Sequence, residues 1–280
     1  MPRGRASGGL TIVNAIGHGR LGGAAGLGLW VESRVREAPG LWTGVSRTPW
    51  GERRLPPRVL EAASQAACSL GACVEGLEAE VHTGFPPGVG LKGSAALLAS
   101  LVEAALALKG VRAPAWRVAL AAAKVSRGAG LSLTGALDDH AASLLEAPVV
   151  TDNRGMAILR LLPRGGCRLT AVVGVPGGEN PVEALDPAPF RRHSRLYDAA
   201  ARLALAGDWL PAMAVSGAAG AMALGVASLV SRLYEAGAAA AGVTGKGPAV
   251  FALAERRGEA AEVLRGAGYG VLEARFKWCG

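Results

Sequence analysis

Two short stretches bring together residue types that can move a phosphoryl group. Residues 86–96 read PPGVGLKGSAA and residues 134–139 read TGALDD. In the first, glycines permit tight turning and close approach of backbone to a ligand. The Ala/Leu-rich segment that follows, LLASLVEAAL, reads as a helix, so the glycine loop opens onto a helix start. Unpaired backbone N–H groups and the positive end of the helix dipole make such a start an anion site suited to phosphate. Lys92 adds a mobile positive charge, and the Ser94 hydroxyl stands where a phosphate-bound Mg²⁺ would sit. The plain alternative is a helix start capped by Ser94. The second stretch sets Asp138 and Asp139 side by side at the start of a short helix. One carboxylate of such a pair can orient or deprotonate a hydroxyl. The same pair also suits the helix dipole with no chemistry implied.

The loop is not a Walker A motif, because its lysine precedes the last glycine rather than following it. No G-x-G-x-x-G with a trailing acidic residue follows a strand. The phosphate loop is therefore of another kind.

The elements that must hold these stretches are legible in outline. LTIVNAI (10–16) reads as a buried strand and 24–37 as a second one. A helix is expected over 57–78 and a short strand over 78–86, feeding the glycine loop. Helices follow over 94–109 and 114–127, then a loop into the Asp138 helix, then the strand of APVVTDNR (147–154). A second half begins at 155. It contains the strand RLTAVVGVP (168–176), a Pro/Gly-rich connection over 177–190 and helices between 188 and 237. Its end reads strand, glycine loop, strand, helix, strand. The fold class expected is α+β, in two halves, 1–154 and 155–280.

Composition narrows the function classes. The chain has 280 residues, half of them hydrophobic and 19% charged, which suits a packed globular protein. Net charge is +8, so the surface attracts anions. Arginines cluster at 34–58 and 191–195, but no aromatic-interleaved basic motif for nucleic acid is present. Residues 209–231 carry no charge, yet Pro211 and the frequent Ala and Gly mark buried helices rather than a membrane span. The first ten residues lack a signal peptide's apolar run. A cytoplasmic protein with neither nucleic acid nor membrane as partner is expected, its four cysteines reduced and buried.

Three motifs in order carry a resemblance. PPGVGLKGSAA resembles the second motif of the GHMP small-molecule kinases (galactokinase, homoserine, mevalonate and phosphomevalonate kinases), P-x-x-x-G-L-G-S-S-A-A. TGALDDHAAS resembles the loop that carries their catalytic aspartate. GVTGKGPAVFAL (242–253) resembles their third motif, with Gly245, Lys246 and Gly247 in its loop. Within that family the archaeal-type shikimate kinases are the most similar subgroup. They share a lysine in the second motif, an opening NAI, TGAxDD and TDNR, here NAIGHGR (14–20), TGALDD (134–139) and TDNR (151–154). Arg20 stands where that subgroup has lysine, and Gly93 where it has serine.

The resemblance implies a two-domain kinase, its active site in the cleft between the halves, that uses ATP and Mg²⁺ to phosphorylate a small molecule, with shikimate favoured over homoserine or mevalonate. ATP would lie on Pro86, Pro87, Gly88, Val89, Gly90, Leu91, Lys92, Gly93, Ser94, Ala95 and Ala96. Ser94 would touch the metal and Asp138 would be catalytic. Asp139 would bind a substrate hydroxyl or support the metal. Several family members have a metal-binding glutamate some eleven residues before the catalytic aspartate; that place holds Arg127. Asn14 would meet a substrate hydroxyl, and Arg20 or Arg154 the carboxylate. Each has a plainer reading: Asn14 as a turn former, Arg20 as closing the first glycine loop, Arg154 as a surface residue. His140 is expected only to begin a helix. Two other classes stand as rivals, a nucleic-acid binder and an inactive sensor of ATP and a metabolite.

Overall fold

The computed structural model describes residues 1–177 and 186–279, so most of the expected connection at 177–190 lies outside the described residues. The chain starts with β1 (Arg3–Val13), one turn of helix α1 (Ala15–His18) and the long β2 (Leu21–Glu37). Then come β3 (Trp42–Thr48), β4 (Gly51–Arg54), α2 (Pro57–Cys68), β5 (Leu77–Thr83), α3 (Gly93–Leu108), α4 (Ala115–Gly128), α5 (Leu137–Leu144), β6 (Val149–Asp152) and β7 (Ala157–Leu161). These strands form one seven-stranded sheet in the order β4-β3-β5-β2-β6-β7, with β1 paired to β2. The second part holds β8 (Thr170–Val175), α6 (Ala188–Arg191), α7 (Ser194–Ala206), α8 (Trp209–Ala223), α9 (Ala227–Glu235), β9 (Ala240–Val243), β10 (Val250–Ala254), α10 (Arg257–Gly266) and β11 (Gly270–Ala274). Its four strands run antiparallel in the order β11-β8-β10-β9.

β2 shows how sequence pattern follows burial. Its outer part alternates: Val31, Ser33 and Val35 are buried, while Glu32 and Arg34 lie on the other face. Its inner part, GGAAGL, is buried throughout, because α5 packs on it and residues of α7 and α8 enter the same core. A strand covered on both faces loses its alternation.

The uncharged stretch near 209–223 is α8, packed against β9 and β1. A Cβ on Gly217 would come 2.9 Å from Gly242, and one on Gly242 would come 2.2 Å from Gly217. The small residues there serve close helix–strand contact. Among the described residues no helix is long and apolar enough to cross a membrane.

Several expectations shift. The helix expected over 57–78 ends at Cys68. β3, β4 and β7 were not read from the sequence; β4 is exposed at every residue, so no burial pattern marks it. The division expected at 154/155 falls between β6 and β7, inside the first sheet, and the chain passes between sheets over 162–169. The cysteines are not reduced: Cys68 pairs with Cys73 and Cys167 with Cys279. The turn after α2 folds back to join the first pair. The second links residues 112 apart in sequence, which spacing alone could not disclose.

Candidate active site

The glycine loop alternates between anchoring and lining. Val89 and Leu91 are buried in the core, while Gly88, Gly90, Lys92, Gly93, Ser94 and Ala95 face one cavity. Pro86, Pro87, Val89, Leu91 and Ala96, expected to bind ATP, do not line that cavity. Val89 and Leu91 hold the loop: Val89 O accepts from Ala249 N at 3.1 Å, and Leu91 O from Gly9 N at 3.1 Å. No side chain caps α3, so Ser94 is not a cap and its hydroxyl stays exposed at the cavity. An uncapped start leaves backbone N–H groups available to an anion.

The third motif docks directly on this loop. Gly90 has φ +89°, and a Cβ there would lie 2.3 Å from Thr244 O. Thr244 Oγ1 donates to Gly90 O at 3.3 Å, and Gly245 N donates to Thr11 Oγ1 at 2.8 Å. Gly245 and Lys246 line the cavity and Gly247 does not. The two glycine loops, far apart in sequence, therefore pack together and line one site side by side.

Lys92 does not extend as a mobile charge. It adopts a left-handed conformation, φ +63°, unusual for a side-chain-bearing residue. That turns its side chain inward, where Nζ donates to Thr11 Oγ1 at 2.9 Å and forms an ion pair with Asp139. Only 4% of the side chain is exposed.

Asp138 sits beside this pair, at 3% exposure. A Cβ on Gly22 would come 2.5 Å from its carboxyl carbon, so that glycine makes room for it. Asn153 Nδ2 donates to Asp138 Oδ1 at 2.8 Å, and Asn153 Oδ1 accepts from Thr151 Oγ1 at 2.7 Å. Burial pushes the Asp138 carboxyl up to about 7, and the neighbouring Asp139 charge adds to the rise. Lys92 and the Asn153 hydrogen bond oppose it. The result is an acid that changes charge near neutrality.

Asn14 faces the cavity but is committed to the fold. Its Oδ1 caps α1 by accepting from Ile16 N at 3.0 Å, and its Nδ2 donates to Gly245 O at 2.7 Å. The plainer reading of Asn14 is the one its contacts support. Arg20 and Arg154 do not line the cavity. Arg20 chelates Asp152 through Nε at 2.8 Å and Nη2 at 2.5 Å. That interaction, with N–H groups of Gly155 and Arg154, holds Asp152 down to about 2. The His18 pKa is lowered chiefly by burial, and the Arg20 and Arg154 charges add to the lowering.

Residues the sequence did not single out complete the site. Thr11, Ser126, Ser132 and Thr134 line the cavity. Arg127 is exposed, while Ser126 beside it faces inward. Asn153 was hidden within TDNR; its polarity inside a strand-end motif was the available signal. His140 is 1% exposed, and burial lowers it to about 4, so the ring is neutral. Among the described residues no cluster of three or more His, Cys, Asp or Glu can hold a metal.

The geometry is that of a nucleotide loop facing a buried carboxylate, and comparison with known proteins agrees. The model of the GHMP kinases N-terminal domain matches residues 57–147, and that of the C-terminal domain matches 196–269. The chain belongs to the GHMP kinase family. It is 88% identical to a shikimate kinase of Aeropyrum pernix over 280 residues, all of both chains. It is 30% identical to one of Pyrococcus furiosus, covering 94% of each. The Cytophaga hutchinsonii homoserine kinase structure superposes with TM-score 0.69 at 20% identity, covering 99% and 95% of the two chains. Lactococcus lactis galactokinase, crystallised with galactose, gives 0.70 at 14%, covering 98% and 93%. These structures establish the shared GHMP kinase fold, α+β with two sheets as expected.

Proposed function

We propose that this GHMP kinase transfers the terminal phosphoryl group of ATP to a hydroxyl of shikimate, giving shikimate 3-phosphate in the cytoplasm. The observation that carries the kinase chemistry is the convergence of the uncapped α3 start and the buried Asp138 on one cavity. Full-length identity to archaeal shikimate kinases supports the acceptor.

Backbone N–H groups at 93–95 bind the nucleotide phosphates, aided by the α3 dipole. The donor set suits a nucleotide-borne Mg²⁺: the Ser94 hydroxyl is exposed at the helix start, with Ser126 and Thr134 hydroxyls on the same cavity. Mg²⁺ takes few protein ligands and keeps waters and phosphate oxygens. When bound it neutralises charge on the transferring group.

Asp138 orients the acceptor hydroxyl and takes its proton. An acid near 7 is matched to that task at neutral pH. Lys92 neutralises Asp139, which limits the repulsion that Asp138 meets when it ionises. Asn153 fixes the orientation of the Asp138 carboxylate. Arg20 and Arg154, outside the cavity in this structure and Arg20 paired with Asp152, would have to turn toward the shikimate carboxylate to hold it, with Asp139 near a ring hydroxyl.

The deciding experiment offers ATP with shikimate, homoserine or mevalonate and follows ADP release and product phosphorus NMR. Phosphorylation of shikimate alone is expected. Turnover of homoserine or mevalonate in its place would overturn the acceptor assignment, and no turnover of any would overturn the kinase reading.

A further inference from the structure

The end of the chain reaches the helix that carries Asp138. After β11, Arg275 O accepts from Gly28 N at 2.8 Å, and Phe276 bridges to Leu27 on β2. Phe276 stacks on Trp278 at 4.8 Å and meets Trp209 edge-on at 5.2 Å. Trp278 Nε1 donates to Gly165 O at 3.1 Å, and Cys279 is bonded to Cys167. The tail is thus tied on both sides of Lys277.

Lys277 itself points into the first half. Its side chain is 1% exposed. Nζ donates to Ser143 O at 3.0 Å and lies 3.8 Å from Glu146 Oε1. Ser143 is in the last turn of α5, where backbone carbonyls lack helical partners. Ser7 Oγ also donates to this carbonyl, at 3.3 Å. The fit is close: a Cβ on Gly26 would lie 2.5 Å from Ala142 O and 2.8 Å from Lys277 Cδ. Burial of this ammonium costs free energy, and its pKa falls to about 8. Catalysis by Asp138 as described makes no use of it.

We propose that Lys277 is a positioning residue for the phosphoryl transfer, holding the C-terminal end of α5 so that Asp138 at the other end meets the acceptor hydroxyl. One helix end is pinned by Asn153 and the other by Lys277 and Ser7. The two pins are about 8 Å apart along the axis, given the helical rise per residue. α5 is short, so a slip at one end moves the other. The disulfide and the aromatic stack keep the tail in place, because a lone lysine on a free tail would not remain buried. The inference rests on the kinase reading above.

The test compares wild type with Lys277→Met, Lys277→Arg and Cys279→Ser. Initial rates with ATP and shikimate are combined with amide hydrogen exchange. Lys277→Met is expected to lower kcat by about 10- to 100-fold, the scale of a misplacement near 1 Å. The KM for ATP should stay within about twofold, since the 88–95 loop is untouched. Amides of 137–144 should exchange faster and those of 93–108 unchanged. Lys277→Arg should recover part of the kcat. Near-normal kcat with unchanged exchange at 137–144 would overturn the proposal. So would a loss that only tracks the unfolded fraction. If Lys277→Met does not fold, Cys279→Ser carries the same expectations and the same refutation. Should wild type prove inactive on shikimate, the acceptor assignment fails, and the exchange arm still decides whether Lys277 holds α5.

Discussion

Asp138 and Asp152 are the same residue type, one hydrogen-bonded to Asn153 and the other preceding it in the chain, and their chemistry is opposite. Asp138 is buried next to another carboxylate and is pushed up to about 7. Asp152 has little more exposed surface, 5%, but it lies beneath the exposed Arg20 side chain rather than deep in the protein, and is held down to about 2. The difference lies first in desolvation, the largest cause at Asp138 and a minor one at Asp152, and then in the partners. Asp152 receives a guanidinium and two backbone N–H groups, all of which favour its charge. Asp138 receives one amide and a like charge, while the nearby lysine is committed to Asp139. Low exposure alone therefore does not make a proton acceptor; deep burial without enough compensation does. One aspartate is prepared to change charge and the other to keep it.

The largest expected effect breaks the Asp138 side. Asp138→Asn keeps the shape but accepts no proton, so kcat should fall by about 10²–10⁴-fold. Its folded pKa lies above the ordinary 3.8, so the stability tied to its proton is present below about pH 4 and lost as pH rises through 7. At pH 8 the wild type carries that buried charge and the amide does not. Asp138→Asn should therefore melt higher than wild type at pH 8, with the gap closing toward pH 4. A melting temperature equal to wild type at both pH values would count against the raised pKa.

Lys92→Met removes the cation that moderates the acidic pair. Asp138 should then hold its proton to higher pH, moving the acid limb of kcat/KM upward. Stability should drop by about 1–3 kcal/mol, less than for a fully buried pair because Asp139 keeps a quarter of its side chain exposed. A pH–rate profile superimposable on wild type would show that Lys92 does not tune Asp138.

The Asp152 side should answer in affinity rather than rate. Arg20→Ala is expected to raise the KM for shikimate about ten- to a hundredfold with kcat changed little, as for a lost charged hydrogen bond. Titration of shikimate at saturating ATP measures this, and an unchanged KM would remove Arg20 from the site.

Asp152→Asn sharpens the contrast at its smallest. A depressed folded pKa gives stability that is present above about pH 4 and lost as pH falls toward 2. The variant should melt about 2–4 °C below wild type at pH 7. The difference should vanish near pH 2. Thermal melts at pH 7, 4 and 2 trace it, and a gap that widens toward acid would reverse the assignment.

The sequence by itself determined the local grammar of this protein. Glycine spacing, the Ala/Leu run after 93 and the paired aspartates at 138 and 139 are statements about backbone conformation within a few residues. Such statements survive folding, and three ordered motifs made the family legible. Tertiary structure decided how side chains were used. Lys92 turned inward to an aspartate 47 residues away, and Asn14 was consumed between α1 and Gly245. Cys167 met Cys279, and Lys277 arrived under the Asp138 helix. None of these has a local signature, because a charge or hydroxyl takes its role from whatever the fold brings within about 3 Å, where hydrogen bonds form. The exposed strand β4 was hidden for the opposite reason: with no face buried, it leaves no pattern.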